Sequence, residues 1–194
     1  MCHSPVKPFV MKKALLALLI FSACKKDKQD TTPPVLSVPF VNTALTDRFI
    51  PFGETLSPTS VNPAYEIILT DSNQQVVASC AGKINWIRLN DNRPDYEMEI
   101  ITTAHSVYRL YYDHIENPVV SEGETIAAGD VLGTIGTGGR TELQINDIRT
   151  NQAICPSGFG TAVFNAAFNT ARTISNTNNG TSYTSTCSTE TVDH

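Results

Sequence analysis

The 194-residue chain has a single tryptophan, three methionines and, beyond its first 28 residues, one lysine, Lys83. With a formal net charge of -5, that distribution excludes nucleic acid as a partner, because a phosphate backbone needs a clustered basic surface. No C-x-x-C pair occurs, so a zinc site built of cysteines is excluded. Also missing are a phosphate-binding glycine loop followed by Lys-Ser/Thr, Gly-x-Ser-x-Gly and His-Glu-x-x-His. Gly136-Thr137-Gly138-Gly139 has no helical pattern after it and reads as a turn between strands. The apolar run Ala14 to Phe21 has eight residues, too few to span a bilayer, which takes roughly 20 in a helix.

What is present begins with an address. Met11-Lys12-Lys13, the apolar run and Phe21-Ser22-Ala23-Cys24 follow the order of a signal peptide. The last four residues resemble the lipobox of bacterial lipoproteins, whose cysteine is acylated and becomes the mature N-terminus. Residues 1–23 are therefore expected to be an export signal, with translation starting at Met11 and residues 1–10 lying upstream of the true start. Cys24 is the expected lipidation site. Lys25 stands where an inner-membrane retention signal would place Asp, so delivery to the outer membrane of a two-membrane envelope is expected, on either face. The polar, aperiodic stretch that follows predicts a flexible tether over 24–38.

About 160 residues remain after the tether, enough for one domain with its own core. From residue 39 to about 148 short apolar runs are broken by Gly, Pro, Asn and Asp, the pattern of many short strands joined by turns. Examples are Tyr65-Glu66-Ile67-Ile68-Leu69, Tyr96-Glu97-Met98-Glu99-Ile100-Ile101 and Ser106-Val107-Tyr108-Arg109-Leu110-Tyr111-Tyr112. Asn90-Asp91-Asn92-Arg93-Pro94-Asp95 is a loop signal between two of them. The class is all-β, mainly antiparallel. After Pro156, Phe159, Val163, Ala167 and Ala171 recur every four residues with Phe164 and Phe168 beside them, which predicts one C-terminal helix over about 157–174, closing a domain of residues 39–174. Residues 175–194 are Asn-, Thr- and Ser-rich and read as a polar tail. In an oxidising envelope Cys80, Cys155 and Cys187 allow one disulfide and one free thiol. Cys155 with Cys187 would pin the tail; Cys80 with Cys155 is the alternative.

The densest stretch is Tyr112-Asp113-His114 followed by Val120-Ser121-Glu122-Gly123-Glu124-Thr125-Ile126-Ala127-Ala128-Gly129-Asp130-Val131-Leu132-Gly133. Two glycine turns flank short strands, a compact β corner. With Val76-Val77-Ala78-Ser79-Cys80-Ala81-Gly82-Lys83-Ile84 before it and Thr141-Glu142-Leu143-Gln144-Ile145 after it, this resembles the LytM-like M23 peptidase domain. The resemblance covers about residues 50–148 and implies a duplicated hybrid motif, a barrel-sandwich-like β fold. It also implies peptidoglycan endopeptidase chemistry, in which a zinc-bound water cuts wall peptides. The family holds zinc by a His and an Asp four residues apart and by the second His of His-x-His, assisted by the His of Tyr-x-His. Those positions fall here on Asn62, Glu66, Gln144 and His114, with Glu142 at the first His of His-x-His.

Amides are weak donors to zinc, so this set offers Glu66 where three good ligands are needed. No cofactor is expected on that ground, although Glu66, Glu142 and His114 could form a rearranged zinc site. The favoured expectation is a pseudoenzyme: a non-catalytic, lipid-anchored envelope protein whose groove, lined by Asn62, Glu66, His114, Glu142 and Gln144, binds a cell-wall or glycan fragment or an envelope protein. A zinc metallopeptidase with substituted ligands is the alternative. A biotinyl/lipoyl-like carrier or adaptor comes next, weakened by the lack of a lysine at a hairpin tip. His114 reads equally as a hydrogen-bonded structural histidine after Asp113. Glu142 and Gln144 share one strand face and Glu66 reads as an edge charge, so all three could be solvated. Trp86, with Tyr96, Tyr108, Tyr111 and Tyr112, is either packing or a sugar platform.

Overall fold

In the computed structural model residues 28–91 and 93–193 are described; the export signal and Cys24 lie outside them. Thirteen strands and one helix follow in order: β1 (Thr46–Ile50), β2 (Thr55–Ser57), β3 (Ser60–Val61), β4 (Tyr65–Leu69), β5 (Gln75–Val77), β6 (Gly82–Leu89), β7 (Tyr96–Ile101), β8 (Tyr108–Glu116), β9 (Thr125–Ile126), β10 (Val131–Ile135), β11 (Arg140–Asp147), β12 (Gln152–Ile154), α1 (Ala162–Asn179) and β13 (Thr191–Asp193). The fold is mainly antiparallel β, with one helix near the C-terminus. The main sheet runs β1-β4-β11-β8-β7-β6-β9, with β10 bridging β5 and β8, and β12 joining β11 to β13. Among the described residues no helix is long and apolar enough to cross a membrane.

Alternation along the strands makes two faces. In β11, Thr141, Leu143 and Ile145 are buried while Arg140, Glu142 and Gln144 stand on the half-exposed side. In β8, Tyr108, Leu110 and Tyr112 are buried while Arg109, Tyr111 and Asp113 share the other face. A period of two is what a sheet with one covered face requires.

The covered face holds an aromatic core. Phe168 lies 5.0 Å from both Phe40 and Tyr65 and 4.7 Å from Phe164, ring centre to ring centre. Phe164 and Phe168 come from α1, whose buried stripe is Phe164, Phe168, Ala171 and Ser175. The predicted helix is thus shifted: it starts after Thr161, whose hydroxyl accepts from the Phe164 N–H, and ends at Gly180 in the left-handed conformation. Pro156 and Gly158 hold the preceding residues, Pro156–Phe159, in a 3-10 turn instead. Val163, expected on the apolar face, is exposed. The polar end of α1 persists because its side chains bind β1: Ser175 Oγ accepts from the Phe49 N–H at 2.9 Å, and the Asn179 amide donates to the Asp47 carbonyl at 2.8 Å. Such bonds satisfy backbone groups of an edge strand that has no second neighbour.

At both ends of the described residues the chain is held more firmly than composition implied. The stretch expected to be a flexible tether is docked from Asp30 onward. The Asp30 N–H donates to the His105 carbonyl, the Asp30 carbonyl accepts from the Val107 N–H, and the Thr103 hydroxyl donates to its carboxylate, each at 2.8 Å. Leu36 is fully buried, and burying such a side chain contributes roughly 2 kcal/mol. At the other end the segment read as a polar tail returns across the sheet. Cys187 is bonded to Cys155, leaving Cys80 free and buried. The Tyr65 hydroxyl donates to Thr186 Oγ1 at 2.8 Å, and β13 pairs with β12.

Candidate functional site

The half-exposed face of β4, β11, β8, β7 and β6 carries the candidate site. Strand register puts Glu66 opposite Glu142 and Glu142 opposite Asp113. One pleat further, Gln144, Tyr111, Glu99 and Trp86 lie in a row across four strands.

His114 sits at the centre of the polar part. Its backbone has φ +56°, a left-handed conformation that a non-glycine residue adopts at a cost of about 1–3 kcal/mol. The turn is stabilised by Asp113 Oδ1, which accepts from the His114 N–H at 2.6 Å. It also breaks the strand alternation, so the imidazole is directed into the site while Ile115 stays in the core. Gly136 allows the neighbouring strand to close over this turn, since a Cβ there would lie 2.7 Å from the His114 carbonyl oxygen.

Asp95, wholly buried, pairs with His114 Nδ1 at 2.9 Å. The Asn90 amide donates to both Asp95 and Asp113, at 2.6 and 2.7 Å. With Nδ1 held by Asp95, the imidazole presents Nε2 to Glu142 Oε1 at 3.5 Å and to Asp113 Oδ2 at 3.6 Å. Burial opposes charge on the imidazole, yet Glu142, Asp113 and Asp95 together hold its pKa above the ordinary histidine value. Burial likewise opposes ionisation of Glu142, but His114 and Arg140 pull it below the usual carboxylate range. Glu66 goes the other way: burial and then the Glu142 charge raise it, and Arg140 only partly offsets them.

Arg140 joins these carboxylates. Its Nε lies 2.9 Å from Glu66 Oε1, a charge contact without well-aligned hydrogen-bond geometry, and its Nη2 donates to Glu142 Oε1. A guanidinium is permanently charged, so it neutralises one of the two carboxylates at all relevant pH.

The predicted site residues therefore separate. Glu66, Glu142 and His114 come together. Asn62 does not join them: its amide is buried and donates to the Ile50 and Pro51 carbonyls at 3.1 and 3.0 Å, and its oxygen accepts from the Ala64 N–H. Gln144 shares the face, but its amide donates to Asn146. Glu66 is not a solvated edge charge, since β4 lies between β1 and β11 and the residue is 6% exposed. Tyr108 and Tyr112 belong to the core, whereas Trp86 and Tyr111 lie on the site face, 5.9 Å apart, with the Arg88 guanidinium 4.2 Å over the Trp86 ring.

Sequence reasoning missed Asp95, Asp113, Asn90 and Arg140. Arg140 was within reach, since it lies two residues before Glu142 and so on the same strand face. Asp95 was not, because its loop advertises only a turn.

A catalytic zinc ion of the kind implied by the resemblance takes three good protein donors and leaves one position for water. Here the two amide positions are committed to other partners and Glu66 is paired with a cation, so the residues present do not fit that ion. Among the described residues, Asp95, Asp113 and His114 have donor atoms within 4.8 Å of one another, but Asp95 is already bonded to His114 Nδ1 and to the Asn90 amide.

A half-covered antiparallel sheet with a histidine and carboxylates on its open face defines the class, and comparison gives it a name. Residues 66–155 match the model of peptidase family M23. The chain carries an M23-like domain. No curated protein sequence matches it. Solved structures with the same fold include Helicobacter pylori Csd3, at 15% identity and TM-score 0.52, over 67% of this chain and 34% of that one. A chain of the SpoIIQ-SpoIIIAH pore forming complex aligns at 16% identity and TM-score 0.52, over 66% of this chain and 92% of that one. The antimicrobial peptidase lysostaphin from Staphylococcus simulans aligns at 17% identity and TM-score 0.50, over 66% and 53%.

Proposed function

We propose that this is a lipid-anchored envelope protein whose M23-like domain binds a fragment of the cell wall, peptide or glycan, without cleaving it. The observation that carries this reading is the fate of the family's metal positions: Asn62 and Gln144 are amides bonded elsewhere, and Glu66 is paired with Arg140. A face that keeps the fold but not the donor set lacks the means to activate water, and recognition is the role this reading leaves to it. Trp86, with the Arg88 guanidinium over one face of its ring, and Tyr111, adjoining Glu99 and Gln144, supply the mixed aromatic and polar surface that sugar rings and short peptides bind.

The anchor at Cys24 adds proximity. Since the chain is docked from Asp30, five residues lie between it and Cys24, a span of six steps that reaches at most about 20 Å when fully extended. The groove would then work close to an envelope membrane rather than at the end of a long leash.

The test is calorimetric titration of the soluble domain with purified muropeptides and chitooligosaccharides, beside a wall-digestion assay with and without chelator. Saturable binding lost in Trp86→Ala and Tyr111→Ala, with no digestion products, supports the reading. Chelator-sensitive digestion that His114→Ala abolishes would replace it with a zinc peptidase of substituted ligands. An envelope protein as occupant is the second reading, favoured by the fold shared with a chain of the SpoIIQ-SpoIIIAH complex; crosslinking from Trp86 to a protein rather than to wall material would select it.

A further inference from the structure

We propose that Arg140 is a resident cation that takes the electrostatic place of a divalent metal, and that removing it turns this site into one that binds such a metal. Glu66 and Glu142 are directly opposed on neighbouring strands. Two like charges in that relation repel unless a cation lies between them. Arg140 reaches both: Nε is 2.9 Å from Glu66 Oε1 and Nη2 is bonded to Glu142 Oε1. The same Glu142 oxygen lies 3.5 Å from His114 Nε2. Without the guanidinium, Glu142 would be left with the Glu66 carboxylate on one side and the His114 imidazole on the other, and two carboxylates with an imidazole suit zinc or another first-row divalent ion.

The support around the set is already of the kind metal sites use. His114 Nδ1 is held by buried Asp95, an arrangement that fixes the ring and raises the basicity of the opposite nitrogen. Arg140 is tied to the site by the fold as well, because it opens β11 directly after the Gly138-Gly139 turn, where its backbone pairs with Ile68 of β4. A cation fixed to the chain cannot be chelated or exchanged. The groove's charge balance is then independent of metal supply, and the guanidinium, having no exchangeable water, cannot do what a bound metal does.

This inference concerns the cation alone and stands or falls whether or not the groove binds wall fragments. The experiment is equilibrium dialysis of the folded domain against micromolar zinc, read by elemental analysis, with melting temperature measured in parallel. Arg140→Met keeps the apolar stem and removes the charge. It should take up one equivalent of zinc where the wild type takes less than a tenth, and zinc should raise its melting temperature. Adding Glu66→Gln or Glu142→Gln should abolish the uptake. Arg140→Lys, which keeps a cation, should behave as the wild type. If Arg140→Met folds poorly alone, zinc should restore its circular dichroism signal. Stoichiometric zinc in the wild type, equal uptake by the Lys and Met variants, or no uptake and no restoration in the Met variant would each overturn the proposal.

Discussion

Removing the Cys155–Cys187 bridge should weaken the domain without releasing the segment it fastens. The bond closes a loop across a sequence separation of 32. In the chain-entropy treatment that restriction of the unfolded state amounts to about 3.7 kcal/mol at 25 °C. The folded segment has further attachments. The Phe52 N–H donates to the Thr186 carbonyl at 3.1 Å, the Ser188 N–H to the Phe52 carbonyl at 2.8 Å and the Cys155 N–H to the Glu190 carbonyl at 2.9 Å. At about 1 kcal/mol each, such bonds hold the strap locally once the rest is folded. The perturbation is the double variant Cys155→Ser, Cys187→Ser, which avoids leaving one reactive thiol. Urea titration should show the midpoint falling by about 2 M with a steeper slope, because the unbridged unfolded chain is less compact, and the melting temperature should drop by about 7–15 °C. Hydrogen exchange at Ser188 should still show protection. A loss under about 1 kcal/mol, or an unprotected Ser188 in a variant otherwise folded, would refute the reasoning, because either would mean that the bridge acts on the native strap and not on the unfolded chain.

The His114 environment makes stability depend on pH with a defined sign. Its folded pKa is raised, so its contribution is complete below about 6.5, the ordinary histidine value, and is lost as pH rises through the folded value. Urea midpoints should therefore fall across that window in the wild type and less in His114→Gln or Asp95→Asn; an equal fall in all three would remove His114 as the cause. Glu142, held low, acts in the acid range instead, its contribution disappearing as pH drops through its folded value. Phe168→Ala should cost about 3–5 kcal/mol in denaturant titration, because a wholly buried ring in contact with Phe40, Tyr65 and Phe164 leaves a cavity. Gly136→Ala should cost about 1–3 kcal/mol by overpacking against His114, and nuclear magnetic resonance should show the imidazole signals displaced.

Much of the sheet was legible because its signal is local. Tyr65–Leu69, Tyr96–Ile101 and Val131–Ile135 carry their own apolar pattern between turn residues, and they are strands with those limits. β12 and β13 were not visible because each is three residues long, and β1, Thr46-Asp47-Arg48-Phe49-Ile50, carries too few apolar residues; each is made a strand by its partner. The helix was legible as a period but not in phase: Val163 and Phe164 both fit a four-residue repeat, and only docking on β1 selects Phe164. For the site, glycine spacing and Tyr112-Asp113-His114 pointed to this stretch, and the register of β4, β11 and β8 brings Glu66, Glu142 and His114 to one sheet face. The family resemblance put Asn62 there too, although its amide serves the backbone at the end of β1.

By itself, then, the sequence determined the all-β class and the scarcity of lysine after residue 28, since residue identity and short-range periodicity carry those properties. Only the tertiary structure decided that Asp95 orients His114 from 19 positions away and that Arg140 lies between Glu66 and Glu142. It also decided that Asp30 and Thr186 are fastened to the domain. Those facts depend on which strands become neighbours and in what register, and a register is settled by the burial of the whole sheet rather than by any one stretch of chain.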